Sequence, residues 1–425
     1  MPSYGDTLRC TSCGLCLSVC PTYREESIET SSPRGRLHIL KAWTEGKLET
    51  NPNLGKQLYR CLGCQACSTI CPSAVAIDRL VLEGRARLDQ RGLAAWLRRY
   101  LIQGAKLSSR RLHLAAFLIR LYQRLGPQAL GRSLSRPRLL PQGLREAETL
   151  LPRVPAQLLE DILPPRMPAP EAGQCKVGYF LNCLNNLALE EVGMASLKVL
   201  NAYGCDLTIP KGQSCCGMPA LAYGETEIFR EMARRNIDQF RDADVEVIIT
   251  DCATCGHTLK LYGELLANDP GYAEAARNFS QKVRDITELL AQLPAPQLQP
   301  LEGVVTYHDP CHLGRGQRVM SQPRQLLTST GLKLVEMPES DWCCGNAGSY
   351  LFTHPGLSLA ILKKKVENAR STGADIIATA CPGCLLQLRL GARRFGLNAQ
   401  VLHPVQVLAQ ALSPTPWKEV EHAKA

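Results

Sequence analysis

Cys10-x2-Cys13-x2-Cys16-x3-Cys20-Pro21 and Cys61-x2-Cys64-x2-Cys67-x3-Cys71-Pro72 are one spacing written twice. A loop with cysteine at every third position can wrap three thiolates around three corners of one Fe4S4 cube. The fourth thiolate, three residues further on, cannot close that same cube. The proline after it turns the chain once the cysteine is placed, and Gly14 and Gly63 keep bulk away from the sulfur cage. Tetrathiolate zinc also uses Cys-x2-Cys pairs. It needs only four thiols, however, and gives no reason for a second identical half ending in Cys-Pro. A pair of iron–sulfur clusters is therefore the first expectation.

The doubled run resembles two-cluster ferredoxins, in which the fourth cysteine of each run ligates the other cluster. That resemblance implies Cys10, Cys13, Cys16 and Cys71 on cluster I, and Cys61, Cys64, Cys67 and Cys20 on cluster II. The 51 positions from Cys10 to Cys61 are too many for a compact ferredoxin hairpin. The insert from Ser32 to Trp43 reads as a helix opened by a Ser-Pro cap. With Pro33-Arg34-Gly35-Arg36 it is similar to the α-helical ferredoxin domain of succinate dehydrogenase iron–sulfur subunits. Arg34 and Arg36 read either as surface charge or as cations that offset thiolate-ligated clusters.

A chain of 425 residues has room for about three domains. Its 45% hydrophobic and 21% charged content is that of a folded globular protein. Twenty cysteines in a chain this long, at metal-ligand spacings, argue against a small secreted disulfide scaffold and for a reducing cytoplasm. Met1 to Arg9 is short and polar and does not read as a signal. The most apolar window, Leu112 to Tyr122, is broken by His113 and Arg120 and falls short of a membrane span.

The net charge of +10 is concentrated. Between Gly84 and Arg153 fifteen Lys or Arg face three acids, Asp89, Glu146 and Glu148, leaving the rest of the chain slightly acidic. Residues 93 to 125 place Leu93, Trp96, Leu97, Tyr100, Leu101, Leu114, Phe117, Leu118, Leu121 and Leu125 at helical spacing, with arginine between them. Such a segment is either a helix pair covering part of a core or an amphipathic surface for anionic lipid or an acidic partner. No reading motif or basic groove with stacking aromatics points to nucleic acid. Six prolines between 152 and 170 predict an extended linker.

From Cys175 onward the chain repeats itself. A strand-like run ends at Cys183 and again at Cys311, and Cys215-Cys216-Gly217 and Cys343-Cys344-Gly345 each begin 32 positions later. Then a hydrophobic strand, Val245 to Thr250 or Ala374 to Thr379, delivers Cys252-x2-Cys255 or Cys381-x2-Cys384. Strand alternating with helix predicts parallel sheets, whose carboxyl ends collect ligands. Five thiols per copy should converge: Cys183, Cys215, Cys216, Cys252 and Cys255 in the first set, and Cys311, Cys343, Cys344, Cys381 and Cys384 in the second. Such sets call for a thiophilic metal centre. Cys175 and Cys205 match no motif position and read as ordinary buried thiols. His257, His308, His312 and His354 lie beside these cysteines in sequence. They read as satisfied structural residues or as second-layer hydrogen-bond donors to a sulfide.

The Cys-x31-Cys-Cys-Gly…Cys-x2-Cys layout resembles the cysteine-rich CCG domain of heterodisulfide reductases, which implies one or two further iron–sulfur clusters at these sets. With the helical ferredoxin domain in front, the whole order resembles the glycolate oxidase iron–sulfur subunit family. Local support comes from His308-Asp309-Pro310-Cys311-His312, the run from Cys343 to Tyr350, and Thr353-His354-Pro355. The fold class expected is α+β multidomain, an α-helical two-cluster ferredoxin domain followed by two repeated α/β CCG modules with parallel sheets. The expected division is 1–90 for the ferredoxin domain, 91–151 for the basic helical segment, 152–174 for the linker, 175–293 and 303–412 for the two modules, and 413–425 for a tail.

No glycine loop of the dinucleotide or Walker type follows a strand, and no serine elbow is present. Hydride chemistry on a 2-hydroxy acid therefore belongs to a flavin on a partner. The family implies no catalytic residue here. It implies an electron-transfer subunit of a glycolate or D-lactate dehydrogenase that takes electrons from an FAD-binding oxidase subunit. A quinone or other acceptor would receive them, with peripheral contact through residues 84–153 at the inner face of the cytoplasmic membrane. The competing readings are a heterodisulfide-reductase-like thiol–disulfide reductase subunit and a glycerol-3-phosphate dehydrogenase iron–sulfur subunit.

Overall fold

The computed structural model describes residues 4–88, 92–104, 109–124, 154–170 and 175–412. The tail at 413–425, and the basic segment apart from 92–104 and 109–124, lie outside the described residues.

The described residues up to 88 are helical and carry no strand. The Ser32 side chain accepts from Gly35 N–H at the start of helix Pro33–Thr44, with Pro33 in the first turn, as the Ser-Pro signal predicts. Gly35 is required by space, since a Cβ there would stand 1.9 Å from Glu29 O. Leu37 and Leu40 from this helix meet Leu54, Leu58, Leu80 and Val81 from helices Pro52–Tyr59 and Ile77–Arg87. Each such leucine removed from water stabilises the fold by about 1.5–3 kcal/mol, and together they hold the two cysteine loops against one small core.

Among the described residues nine strands make two sheets. β1 (Arg166–Met167), β2 (Cys175–Tyr179), β3 (Cys205–Thr208), β4 (Val247–Thr250) and β5 (Val283–Asp285) lie in the order β1-β3-β2-β4-β5. All pairs are parallel except β1 with β3. β6 (Val304–Tyr307), β7 (Lys333–Leu334), β8 (Ile376–Ala378) and β9 (Gln400–Leu402) lie in the order β7-β6-β8-β9, all parallel. The second sheet thus repeats the parallel part of the first. The modules share a core, in which Val192, Leu197 and Leu200 pack with Leu388, Val405 and Leu408.

One expectation changes. Where it is described, at 154–170, the proline-rich stretch is not a plain linker: Leu158 and Leu159 are fully buried, and β1 forms an edge strand of the first sheet. A strand that carries Pro165 and Pro168 on its flanks suits an edge, where a missing N–H leaves no ladder bond broken.

The helices Leu93–Gly104 and Ser109–Arg124 are inside-out. Leu93, Trp96, Leu97, Tyr100 and Leu101 of the first, and Leu114, Phe117, Leu118, Leu121 and Tyr122 of the second, are exposed. Both helices therefore present the same i, i+3, i+4, i+7, i+8 apolar stripe to the outside. The body of the protein attracts the arginines instead. Arg98 lies 4.7 Å from the Tyr223 ring centroid and 6.0 Å from that of Tyr59, and Arg99 Nε donates to Glu225 at 2.8 Å. Ile102 and Ala116 are the buried apolar residues of the pair, and Ile102 belongs to the core cluster that also holds Phe180, Cys215 and Cys216.

Candidate metal centres

Cys20, Cys61, Cys64 and Cys67 line one cavity, together with Arg36, Ile77 and Asp78. The helix Pro21–Glu26 starts immediately after Cys20, so the cysteine caps it and its thiol turns back toward the later loop. Arg36 is 2% exposed, and its Nη2 donates to Thr22 Oγ1 at 3.0 Å, which in turn sits 3.2 Å from Cys20 Sγ. A fully buried guanidinium beside four thiols is the charge-offsetting choice of the two readings of this residue. Arg34 stays near the surface, bonded to Glu29, and its Nη1 reaches Ser12 O at 3.4 Å in the first cysteine loop.

Cys10, Cys13 and Cys16 gather around that first loop. Burial, then the neighbouring Cys10, Cys20 and Cys13 thiols, push the Cys16 thiol up. Cys71 closes helix Ala66–Ile70 and packs on the same small core as Cys10 and Cys16. This set is the outer one, with Cys13 exposed and Cys10, Cys16 and Cys71 half-buried.

In both modules the cysteines stand where the parallel strands end. Cys183 opens the helix after β2, Cys252 caps the helix after β4, and Cys381 caps the one after β8. The Cys215-Cys216 and Cys343-Cys344 pairs follow β3 and β7. Gly217 and Gly345 have φ of 93° and 86°, the left-handed backbone that lets the chain fold back past the paired thiols. Hydrogen bonds from adjacent thiols, first Cys183, Cys311 and Cys252 respectively, hold Cys215, Cys343 and Cys381 well below the usual thiol range. Cys344 Sγ and Cys384 Sγ are 3.4 Å apart.

The sets also meet each other. Cys64 of the ferredoxin part is pushed up by burial and then by Cys343, and Cys311 is a second neighbour from the second module. The Cys252 and Cys381 thiols are within hydrogen-bonding reach, and Ala253 N–H donates to Ala380 O at 3.1 Å beside them. In space the row therefore runs ferredoxin loop, second set, first set, and in the first set Cys183 is the exposed member.

The donor sets fit iron–sulfur groups. All eighteen of these cysteines are free thiols, and backbone N–H groups of Gly63, Val75, Cys255 and Gly345 each donate to a cysteine Sγ at 3.4 Å. Hydrogen bonds to the sulfurs are one means by which a protein tunes such a group.

Four residues depart from the sequence reading or escaped it. Cys175 is only half-buried, and its Sγ lies 3.0 Å from that of Cys205 on the paired strand β3. Lys365 is fully buried, pushed down to about 8 by burial, and donates to Ser340 O at 3.1 Å. Its position in a Lys363-Lys364-Lys365 run suggests solvent. The signal was helical period, which sets it on the inner face with Ser358, Ile361, Leu362 and Val366. Asp285 is buried and held up at about 7 by desolvation. His308 is buried with both ring nitrogens unpartnered among the described residues. By contrast, His257 Nε2 is 2.8 Å from Gln65, His312 Nδ1 is 3.1 Å from Thr254 Oγ1, and His354 Nδ1 is 2.9 Å from Thr353 Oγ1.

The 4Fe-4S dicluster domain family matches residues 6–75, and the CCG cysteine-rich domain family matches residues 177–260 and 305–389. The chain is similar to the probable glycolate oxidase iron-sulfur subunit of Bacillus subtilis, 38% identical over 96% of this chain and 94% of that one. It is similar to the glycolate oxidase iron-sulfur subunit of Escherichia coli, 29% identical over 95% and 93%. It is also 30% identical to a fumarate reductase (CoM/CoB) subunit of Methanothermobacter marburgensis over 96% of this chain and 74% of that one. With its cysteine row and these matches along nearly the whole length, the chain belongs to the glycolate oxidase iron–sulfur subunit family.

Proposed function

We propose that this chain is the electron-transfer subunit of an FAD-dependent 2-hydroxy-acid dehydrogenase acting on glycolate or D-lactate. It accepts electrons from a partner flavoprotein and passes them toward a quinone. The observation that carries this reading is the unbroken succession of sulfur sets from exposed Cys13 to exposed Cys183. Cys10, Cys13, Cys16 and Cys71 hold one cubane, and Cys61, Cys64, Cys67 and Cys20 the other. The first and second five-cysteine sets hold the remaining centres. Bound there, iron–sulfur clusters supply single-electron transfer. The chain supplies thiolates, buried cations such as Arg36, N–H donors to sulfur, and the exclusion of water. Anaerobic reconstitution with iron and sulfide should give more than the about eight irons per chain of two cubanes. A colourless preparation holding only zinc overturns the reading.

The inside-out helix pair is the membrane-facing surface of this subunit. No acidic residue occurs from Gln90 to Arg145, while twelve Lys or Arg do, so the charge complements anionic lipid rather than an acid-and-base protein interface. Ile102 joins the pair to the core cluster that also holds Cys215 and Cys216, which supports an exit for electrons to a quinone on this side. Binding to anionic vesicles, read by Trp96 fluorescence, should be lost in Leu97→Ser/Leu101→Ser. Retained binding removes the lipid reading. Capture of the partner flavoprotein by this face instead would assign it to the subunit interface.

The thiol–disulfide reductase reading has one observation in its favour: both five-cysteine sets are complete, and Cys183 of the first is open to solvent. Turnover of a small disulfide by the isolated, reduced chain would establish it.

A further inference from the structure

His308 follows β6 directly, three residues before Cys311, is 1% exposed, and donates its backbone N–H to Ala378 O at 2.9 Å. Neither Nδ1 nor Nε2 has a hydrogen-bond partner among the described residues. A ring nitrogen of His308 and the Sγ atoms of Cys344 and Cys384 all lie within 4.8 Å of one another. A buried polar atom left unpaired carries its full desolvation cost, so such atoms in native folds have a job.

The first module supplies the internal control. Phe180 stands at the same place relative to its module, its backbone N–H donating to Ile249 O at 2.8 Å on the matching strand. It is fully buried, in one core with Cys215, Cys216, Cys252 and Cys255. Packing at this position therefore asks only for a ring. The nitrogens of His308 are extra, and one of them lies close to two cysteines of the second set.

We infer that His308 is a sixth ligating residue of the second cysteine set, giving the metal centre there an imidazole nitrogen that the first set lacks. Nitrogen beside sulfur is a donor combination that suits iron and zinc. An imidazole bound to a cluster iron changes the electron density there and with it the reduction potential of the centre. The two centres of this chain are then chemically unequal although their cysteine spacing is nearly the same. This rests on the reading that the second set holds an iron–sulfur centre.

The test uses the full chain, reconstituted anaerobically with iron and sulfide and labelled with 15N-histidine. In the paramagnetic state of the second centre, pulsed EPR should show one directly bonded histidine nitrogen. His308→Phe, which copies the first module, should abolish that coupling and shift the potential of the same centre while leaving the ferredoxin signals in place. The inference is overturned if the labelled native chain shows no histidine coupling, if the coupling survives in His308→Phe, or if only a weak coupling with an exchangeable proton is seen. That last pattern is the signature of a hydrogen-bond donor. Should the variant fold poorly, the labelled native chain decides through the same coupling together with its loss in His308→Gln. Iron confined to the two cubanes would defeat the reading of the second set itself, whereas iron at that set without nitrogen defeats only the histidine assignment.

Discussion

The two cysteine-rich modules share a strand order, a cysteine spacing and a left-handed glycine after each cysteine pair, yet their crevices are lined differently. Phe180 in the first corresponds to His308 in the second. Asn236, which holds the loop of the first pair through Ser214 and Cys215 O, corresponds to Lys365, which holds the loop of the second through Ser340 O. Phe229 beside Gly217 corresponds to Ser358 beside Gly345. The second crevice thus carries a buried nitrogen base and a buried amine where the first carries a ring and an amide. The metal-holding geometry fixes cysteine and glycine, and leaves the lining free to set each centre's electrostatics.

The largest expected effect breaks the modules apart by position. Cys216→Ser and Cys344→Ser should each end electron delivery to the acceptor, but at different places. After reduction by a substrate-driven flavoprotein partner, Cys216→Ser should still show a reduced second-set signal in freeze-quenched EPR. Cys344→Ser should leave the first set oxidised. A reduced first set in Cys344→Ser would contradict the order in which the sets meet.

Next is a difference in pH response. Asp285 caps the helix after β5, and His403 caps the helix after β9. Burial raises Asp285 from 3.8 to about 7, so its contribution is fully present below the unfolded pKa and is lost as pH rises to about 7. The loss is on the order of 4 kcal/mol. Burial lowers His403, so its contribution is present above the unfolded value of 6.5 and is lost as pH falls below it. Thermal melts of Asp285→Asn should therefore show a flatter slope between pH 4 and 7 than the native chain. An unchanged slope would remove Asp285 as the source.

The paired glycines sharpen the comparison further. A Cβ on Gly345 would stand 2.7 Å from Ser358 O, a backbone atom, while on Gly217 it would stand 2.6 Å from the Phe229 ring edge, which can tilt. Gly345→Ala should cost about 2–4 kcal/mol, and Gly217→Ala less, since both add left-handed strain but only one meets main chain. Denaturant melts in which Gly217→Ala is the worse variant would reverse this ranking.

The smallest expected change in stability belongs to the helix pair that precedes both modules and joins the core of the first through Ile102. Trp96→Ser and Phe117→Ser on the exposed stripe should alter stability by no more than about 0.5 kcal/mol, measured by chemical denaturation. A large loss would mean that the stripe packs against part of the same chain.

Much of this was legible beforehand because covalent spacing carries it. Cysteines three apart in a loop must point one way, and the Ser-Pro step must begin a helix. Hydrophobic strands ending in cysteine must bring their thiols to one sheet edge. The helices at 93–104 and 109–124 were legible as helices but not in orientation. Periodicity says which residues share a face, and Tyr59, Tyr223 and Glu225, distant in sequence, decide that Arg98 and Arg99 reach the body of the protein. β1 was hidden in prolines because an edge strand of two residues has almost no pattern.

By itself, then, the sequence determined the doubled ferredoxin-type spacing, the two repeated five-cysteine patterns and the strand–helix alternation that exposes them, since all three follow from bonded spacing and local backbone preference. Only the tertiary structure decided that the second module, later in the chain, lies next to the ferredoxin loop at Cys64 and reaches the first through Cys252 and Cys381. It alone also decided that His308 faces two thiols without a partner. Neighbours of this kind are made by helices and sheets packing across hundreds of residues, and no spacing along the chain encodes which surfaces will meet.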